Sequence, residues 1–259
     1  MLKIASFNTN GIRPRMPIIL DWLKANNPDL LCIQETKAQN ADFPGKPYMD
    51  AGYHVVFKGQ KSYNGVAILS KLPLSNVQTR LSNHEENEEA RFICAEIGNG
   101  ITVVNTYIPQ GQNPDSEKFK FKLQWYRQLL SYFQSKFDPT NQVIWLGDLN
   151  VAPTHLDVFD PKKLYGKVCY HPDEHQAFQK FIDFGFVDIY RKHKPEEKEF
   201  TFWDYRIPNA VKRGLGWRID HILATRPLAE KSIDAWIDKA PRLLPKPSDH
   251  TFIIATFNV

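Results

Sequence analysis

The sequence predicts an α/β protein with two packed layers of β-sheet. Short apolar runs rich in β-branched residues alternate with polar loops along the chain. One long segment carries apolar residues at helical spacing. Strands and helices are mixed over the whole length, with no internal repeat, low-complexity tract or Pro/Gly linker. A chain of 259 residues, 42% hydrophobic and 24% charged, has enough apolar material for a sizeable core. A single domain over residues 1–259 is therefore the expectation.

In chain order, LKIASF at 2–7 opens the set of expected strands, and a short helix is expected at 15–26. DLLCIQ at 29–34, GVAILS at 65–70, FICAEI at 92–97 and ITVVNTYI at 101–108 follow, each a short run with β-branched residues. The clearest helix is 117–137, where Phe119, Leu123, Tyr126, Leu130, Phe133 and Phe137 recur every three or four residues. Such a stripe suits packing on a sheet. QVIWLG at 142–147 is the next strand, and 173–184 the next helix. RIDHILAT at 218–225 and TFIIATF at 251–257 complete the set.

The formal charge of +4 is compatible with a polyanionic partner without requiring one. Cys32, Cys94 and Cys169 are odd in number and far apart, which excludes a disulfide framework and suits a reducing cytoplasm. Cys32 lies within an expected buried strand and reads as an inert core thiol. The start, MLKIASFNTN, lacks the apolar core of a signal peptide, and no run approaches the ~20 apolar residues needed to span a bilayer.

The expected strands end in a set of polar residues that turn chemistry alone does not predict. VIWLGDLN stops at Gly147 and then offers Asp148 and Asn150. In an extended chain that spacing places both on one face, roughly 7 Å apart. SFNTNG supplies Asn8 and Asn10, IQETK supplies Glu35, and ITVVNTYIPQG supplies Tyr107 and Gln110. RIDHIL holds Asp220 inside an apolar strand, and PSDH places Asp249 and His250 just before the last strand. Strand-end loops are where sheets carry catalytic groups.

Hard oxygen donors of this kind suit Mg²⁺, with Mn²⁺ as a substitute, and Glu35 and Asp249 are the natural ligands. HExxH and paired cysteines are absent, which disfavours zinc. His171 and His175 stand four apart, but Pro172 and the acids Asp173 and Glu174 read as helix initiation. A GxSxG elbow and a Walker A loop are also missing, which excludes their acyl- and nucleotide-driven chemistries. A carboxylate beside an imidazole, here Asp220 and His250, favours the protonated ring. A metal, a cationic imidazole and amide donors together match the charge of a phosphodiester transition state.

SFNTNGIR, LLCIQETK, YNGVAILSK, NTYIPQG, GDLNVAP, FTFWDYR, LGWRIDHIL and PSDH follow one another over nearly the whole chain. The series resembles the exonuclease III type of apurinic/apyrimidinic endonuclease, of bacterial type. The resemblance implies a four-layered α/β sandwich, two central mixed sheets flanked by helices. It also implies a Mg²⁺-dependent DNA repair nuclease, cutting 5′ to abasic sites in duplex DNA, with 3′–5′ exonuclease and 3′-phosphatase activities. The partner would be duplex DNA with abasic sites or blocked 3′ ends, and the protein a cytoplasmic monomer.

By resemblance, Glu35 is the principal metal carboxylate, with Asn8 and Asp249 beside the ion and Asp148, Asn150 and His250 closing the site. Asp148 orients or deprotonates the attacking water, Asn150 holds the phosphate, and Tyr107 stands near the leaving group. His250, paired with Asp220, contacts a phosphate oxygen or is itself the base. Phe202, Trp217 and Ile219 line an apolar pocket for a base-free sugar, whereas Trp203 reads as core. Asn10 and Gln110 belong to the DNA-contacting set. Read from the residues, Arg13, Lys58, Lys61, Lys212, Arg213 and Arg218 are candidates for phosphate contacts, although charged loops are commonly just solvated. With acids crowded in HEENEE at 84–89, basic charge would have to gather on one face.

The segment 160–174 departs from the family pattern, so Cys169, Tyr170 and His171 are positioned to tune the balance of activities. The first catalytic strand lies at the very start of the chain, and no function of an N-terminal extension is expected. Two rivals remain at this level. One is a related phosphodiesterase acting on a phospholipid headgroup; the other is a catalytically silent DNA-damage binding module.

Overall fold

In the computed structural model, which describes residues 1–81, 89–98 and 100–259, the strands form two six-stranded sheets. They are β1 (Leu2–Asn8), β2 (Leu30–Gln34), β3 (His54–Lys58), β4 (Val66–Ser70), β5 (Leu74–Gln78), β6 (Phe92–Ile97), β7 (Ile101–Tyr107), β8 (Val143–Asp148), β9 (Phe186–Asp188), β10 (Asp220–Thr225), β11 (Ser232–Asp238) and β12 (Phe252–Phe257). One sheet runs β11-β12-β1-β2-β4-β3 and the other β5-β6-β7-β8-β10-β9. The helices are α1 (Ile12–Asn26), α2 (Lys46–Asp50), α3 (Glu117–Lys136), α4 (Pro161–Leu164), α5 (Pro172–Phe184), α6 (Ile189–His193) and α7 (Arg226–Ala229). The acidic run at 84–88 lies outside the described residues.

Both sheets share one pairing plan. β1 and β2 pair in parallel, as do β7 and β8, while the other described pairings are antiparallel. Parallel neighbours need a long crossover, and here α1 and α3 supply it. Parallel strands end at the same edge, and their antiparallel neighbours begin there. The ends of β1, β2, β7 and β8 therefore meet the starts of β10 and β12 at one rim.

The inner faces interdigitate between the sheets, with Ile4, Cys32 and Ile68 on one side and Val103, Leu146 and Ile222 on the other. On the outer faces, α1 packs Ile19, Trp22 and Leu23 against Phe7, Leu31 and Ile254. α3 and α5 pack Tyr126, Leu129, Phe133 and Phe181 against Val104, Trp145 and Leu223. The result is the expected helix–sheet–sheet–helix order. Central strands buried on both faces carry mostly apolar side chains, and each buried Leu or Ile contributes about 1.5–3 kcal/mol.

Two expected helices shift. α1 begins at Ile12, before the expected 15, because Pro14 in a first turn sacrifices no hydrogen bond. The buried stripe of α3 is centred on Phe119, Lys122, Trp125, Tyr126, Leu129 and Phe133; Leu123 and Leu130 border it. A lysine occupies the stripe because it has a buried partner. α5 starts as its sequence suggests: Pro172 is at its first turn and His171 Nδ1 accepts from the Asp173 N–H at 3.2 Å. His175 Nε2 lies 3.0 Å from the Ala152 carbonyl, so the pair His171/His175 serves the chain and not an ion.

Arg218 corrects another expectation. It is fully buried and makes no surface for phosphate. Its Nε donates to Asp157 Oδ1 at 2.7 Å and its Nη2 to Asp188 Oδ2 at 2.8 Å. Burial pushes both carboxyls up, but the guanidinium outweighs it and holds them below the usual carboxylate range. Their stabilisation is thus full above the ordinary value of about 4 and is lost as pH falls through the depressed folded values. Arg218→Met should cost on the order of 3–5 kcal/mol at neutral pH. In thermal melts the gap to the wild type should narrow below about pH 4; a gap that persists unchanged to about pH 2 contradicts the pairing.

Candidate active site

The rim brings the strand-end residues together. Asn8 ends β1, and its Nδ2 donates to Glu35 Oε1 at 2.9 Å and to Asp148 Oδ2 at 2.8 Å, joining the two sheets. Asp148 ends β8 between Tyr107 on β7 and Asp220 on β10, its register partners on either side. Gly147 explains the sharp end of VIWLGDLN. Its φ is 136°, and a Cβ there would stand 2.0 Å from the Thr106 carbonyl oxygen. Only glycine lets β8 press this closely on β7.

Beyond Asp148 the chain is not extended. Asn150 is left-handed, with φ 51°, and its N–H donates to Asp148 Oδ1 at 3.0 Å. The stretch is therefore a turn and a site at once. Its amide Nδ2 donates to the Ile108 carbonyl at 2.9 Å. Asn10, Glu35, Lys37, Asn150 and Cys169 all hold φ between 45° and 67°, a conformation that side-chain-bearing residues avoid. Such strain concentrates at functional sites.

Opposite Asp148 stands His250. Its Nδ1 is 2.8 Å from Asp220 Oδ2, and its Nε2 is 3.8 Å from Asp148 Oδ2. Burial disfavours the charged ring, but the Asp220 and Asp148 carboxylates override it and raise its pKa to about 10. The imidazole is a cation at neutral pH and can donate from Nε2. Burial pushes the Asp148 carboxyl upward, reinforced by Asp220 and Glu35, while the charged His250 ring opposes it. Burial raises Glu35 too, but the Lys37 ammonium, 3.0 Å from its Oε2, and the Asn8 amide prevail and lower it. Burial, with Glu35 and Asp148 adding to it, drives the Tyr107 phenol well above its ordinary value. It stays a neutral donor.

These groups face a cavity of about 430 Å³ lined by Glu35, Tyr107, Gln110, Asp148, Asn150, Asp249 and His250. Its apolar wall is Phe202, Ile219 and Cys169. Phe202 also packs on the His250 ring, centroids 4.8 Å apart. Trp217 is not among the residues lining the cavity; its ring lies 5.8 Å from Phe202 and edge-on to Phe159 at 5.0 Å. Trp203 is core, as expected. Asn10 holds Asp249 Oδ1 through its Nδ2 at 3.0 Å. Arg13 is away from the cavity, donating to the Asp42 carbonyl at 3.0 Å. Lys61, Lys212 and Arg213 are exposed. Of Cys169, Tyr170 and His171, only Cys169 reaches the wall, and burial pushes its thiol up to about 12.

Sequence reasoning missed Lys37, Arg91, Asp204, Tyr205 and Arg206. Arg91 stacks on the Tyr107 ring at 4.7 Å, and the last three line the cavity mouth. Lys37 was visible inside LLCIQETK, next but one to the acid it neutralises. A larger groove of about 940 Å³ runs between α3 and residues 78–81, and none of the described residues lining it is a carboxylate.

A hard cation fits the donor set. Ligand atoms of Glu35, Asp148 and His250 lie within 4.8 Å of one another, and Asp249 faces the same cavity. His250 Nδ1 is taken by Asp220 at 2.8 Å, and the other converging donors, from Glu35, Asp148 and Asp249, are oxygens that suit a hard cation.

A profile described as the endonuclease/exonuclease/phosphatase family matches residues 5–250. An exodeoxyribonuclease III of Haemophilus influenzae is 34% identical over 99% of this chain and 100% of its own. The solved structure of an AP endonuclease from Archaeoglobus fulgidus superposes with a TM-score of 0.97 at 50% identity, covering 100% of both chains. A 3′ phosphatase from Neisseria bound to a product DNA hairpin superposes at 0.95 and 35% identity, again over 100% of both.

Proposed function

Because the chain belongs to the endonuclease/exonuclease/phosphatase family, we propose that it is a Mg²⁺-dependent DNA repair nuclease that hydrolyses the phosphodiester 5′ to abasic sites in duplex DNA. Exonuclease and phosphatase action at 3′ ends belongs to the same site, since each removes a group from a 3′ oxygen by attack of water on phosphorus. One observation carries the reading. A buried carboxylate, a cationic imidazole and oxygen donors that suit a hard cation converge on a single cavity that has an apolar wall.

Glu35, with Asp249 and Asn8 alongside, would hold the Mg²⁺, which would supply Lewis-acid neutralisation of the phosphate. The protein supplies the rest. Asp148, ending β8 at the cavity with its Oδ2 3.8 Å from the cationic His250, orients the water and takes its proton as oxygen attacks phosphorus. His250 is already protonated, so it serves as a charged donor to a phosphate oxygen and not as the base. Asp220 keeps it so. Asn150 holds a second phosphate oxygen, and the neutral Tyr107 phenol donates toward the departing 3′ oxygen. The products are a 3′-hydroxyl and a 5′-deoxyribose phosphate.

Phe202 and Ile219 offer the sugar an apolar wall, and a nucleotide that keeps its base is the larger guest. The enzyme would work as a monomer in the cytoplasm, as one catalytic unit over the chain. No described helix is long and apolar enough to cross a membrane. The reading is tested by comparing kcat/KM on duplexes bearing an abasic analogue, a 3′-phosphate or a plain 3′-hydroxyl. The abasic duplex should rank first; hydrolysis of a phospholipid headgroup in preference to all three overturns the reading.

A further inference from the structure

We propose that Lys122 and Glu174, a fully buried ion pair outside the cavity, are positioning residues that hold three of its loops in register. The proposal rests on the nuclease reading only for its kinetic consequences. Lys122 comes from the first half of α3 and Glu174 from the first turn of α5, and both have zero exposure. An ammonium has three protons to place. Lys122 gives one to Glu174 Oε1, one to the Asn150 carbonyl at 2.6 Å and one to the Gln110 carbonyl at 3.2 Å. Glu174 in turn accepts the Cys169 N–H on Oε1 and the His171 N–H on Oε2, each at 3.1 Å.

The pair thus ties together the loops after β7, after β8 and before α5. Those loops carry Gln110, Asn150 and Cys169, which all face the cavity. Burying two charges for packing alone is a poor bargain, since apolar side chains of similar volume often do as well or better. Here every polar atom of the pair is aimed at the backbone of a residue in or beside the cavity wall. Asn150 is the centre of the arrangement, gripped at its N–H by Asp148, at its carbonyl by Lys122 and at its amide by the Ile108 carbonyl. Glu35, Asn8 and Asp249 come from the other sheet and touch neither member of the pair. Loosening the pair should therefore disturb phosphate positioning and leave the metal set alone.

The test uses the full chain with Lys122→Met and with the charge-balanced Lys122→Met/Glu174→Gln, which leaves no buried charge to unfold it. On an abasic-analogue duplex, well below each protein's melting temperature, kcat should fall by about 10- to 100-fold. KM and half-saturating Mg²⁺ should each stay within about threefold, because neither uniform binding nor the metal set is touched. Hydrogen exchange gives a readout that needs no activity. Amides at 108–112, 149–152 and 168–171 should exchange faster in the variants, with 34–37 and 248–250 unchanged. A variant that melts lower but turns over normally per folded molecule overturns the proposal, as does a parallel shift in Mg²⁺ requirement. If the wild type cuts nothing, the nuclease reading fails and the exchange pattern alone decides the role of the pair.

Discussion

Asp148→Asn is expected to lower turnover by about 10³- to 10⁴-fold while leaving duplex binding within a few-fold of wild type, the loss typical of a removed general base. Asparagine keeps the shape, and its one carbonyl oxygen can still accept the Asn150 N–H, while the Asn8 amide keeps Glu35 as its acceptor, so the rim should stay assembled. What disappears is basicity. The substitution also removes one of the carboxylates that keep His250 protonated, while Asp220 at 2.8 Å and Asp249 remain. Loss of cleavage with retained binding, read by gel shift on an abasic-analogue duplex, assigns the role to Asp148. Activity within tenfold of wild type would move the base elsewhere.

Glu35→Ala should reduce turnover by about 10²-fold or more without restoring it at any Mg²⁺ concentration, since Lewis-acid neutralisation supplies several kcal/mol. The fold should survive. Glu35 sits at the rim, outside the core clusters, and its left-handed backbone is strain that folding does not need. Its neighbours Lys37 and Asn8 each lose a partner, but Asn8 keeps Asp148. Far-UV circular dichroism and a melt read the fold; wild-type turnover at saturating Mg²⁺ would sink the metal assignment.

The central strands were legible because burial on both faces forces apolar runs, as in VIWL and FIIATF. The strands that pattern reading missed are β3, β5, β9 and β11, and these are the four outer strands of the two sheets. With an edge or a face open to water, sequences such as LSNVQ and SIDAWID need no such run. The catalytic set was legible for a related reason: a carboxylate or amide at the end of a buried strand has few structural uses. Arg218 misled because a basic residue beside a suspected pocket looks like a phosphate ligand, and nothing local to GWRID marks Asp157 and Asp188 as its partners. Lys122 escaped notice on the same ground. A charge that pairs across 52 residues leaves no periodic trace.

The account stands or falls on phosphodiester cleavage at a base-free site. A 5′-labelled duplex with one abasic-site analogue, incubated with the protein and either Mg²⁺ or EDTA, reads it directly. A single incision 5′ to the lesion, present with Mg²⁺ and absent with EDTA, is the result expected. Binding without incision under both conditions would contradict it and make the protein a recognition module, while neither binding nor cutting would return the site to a phospholipid headgroup.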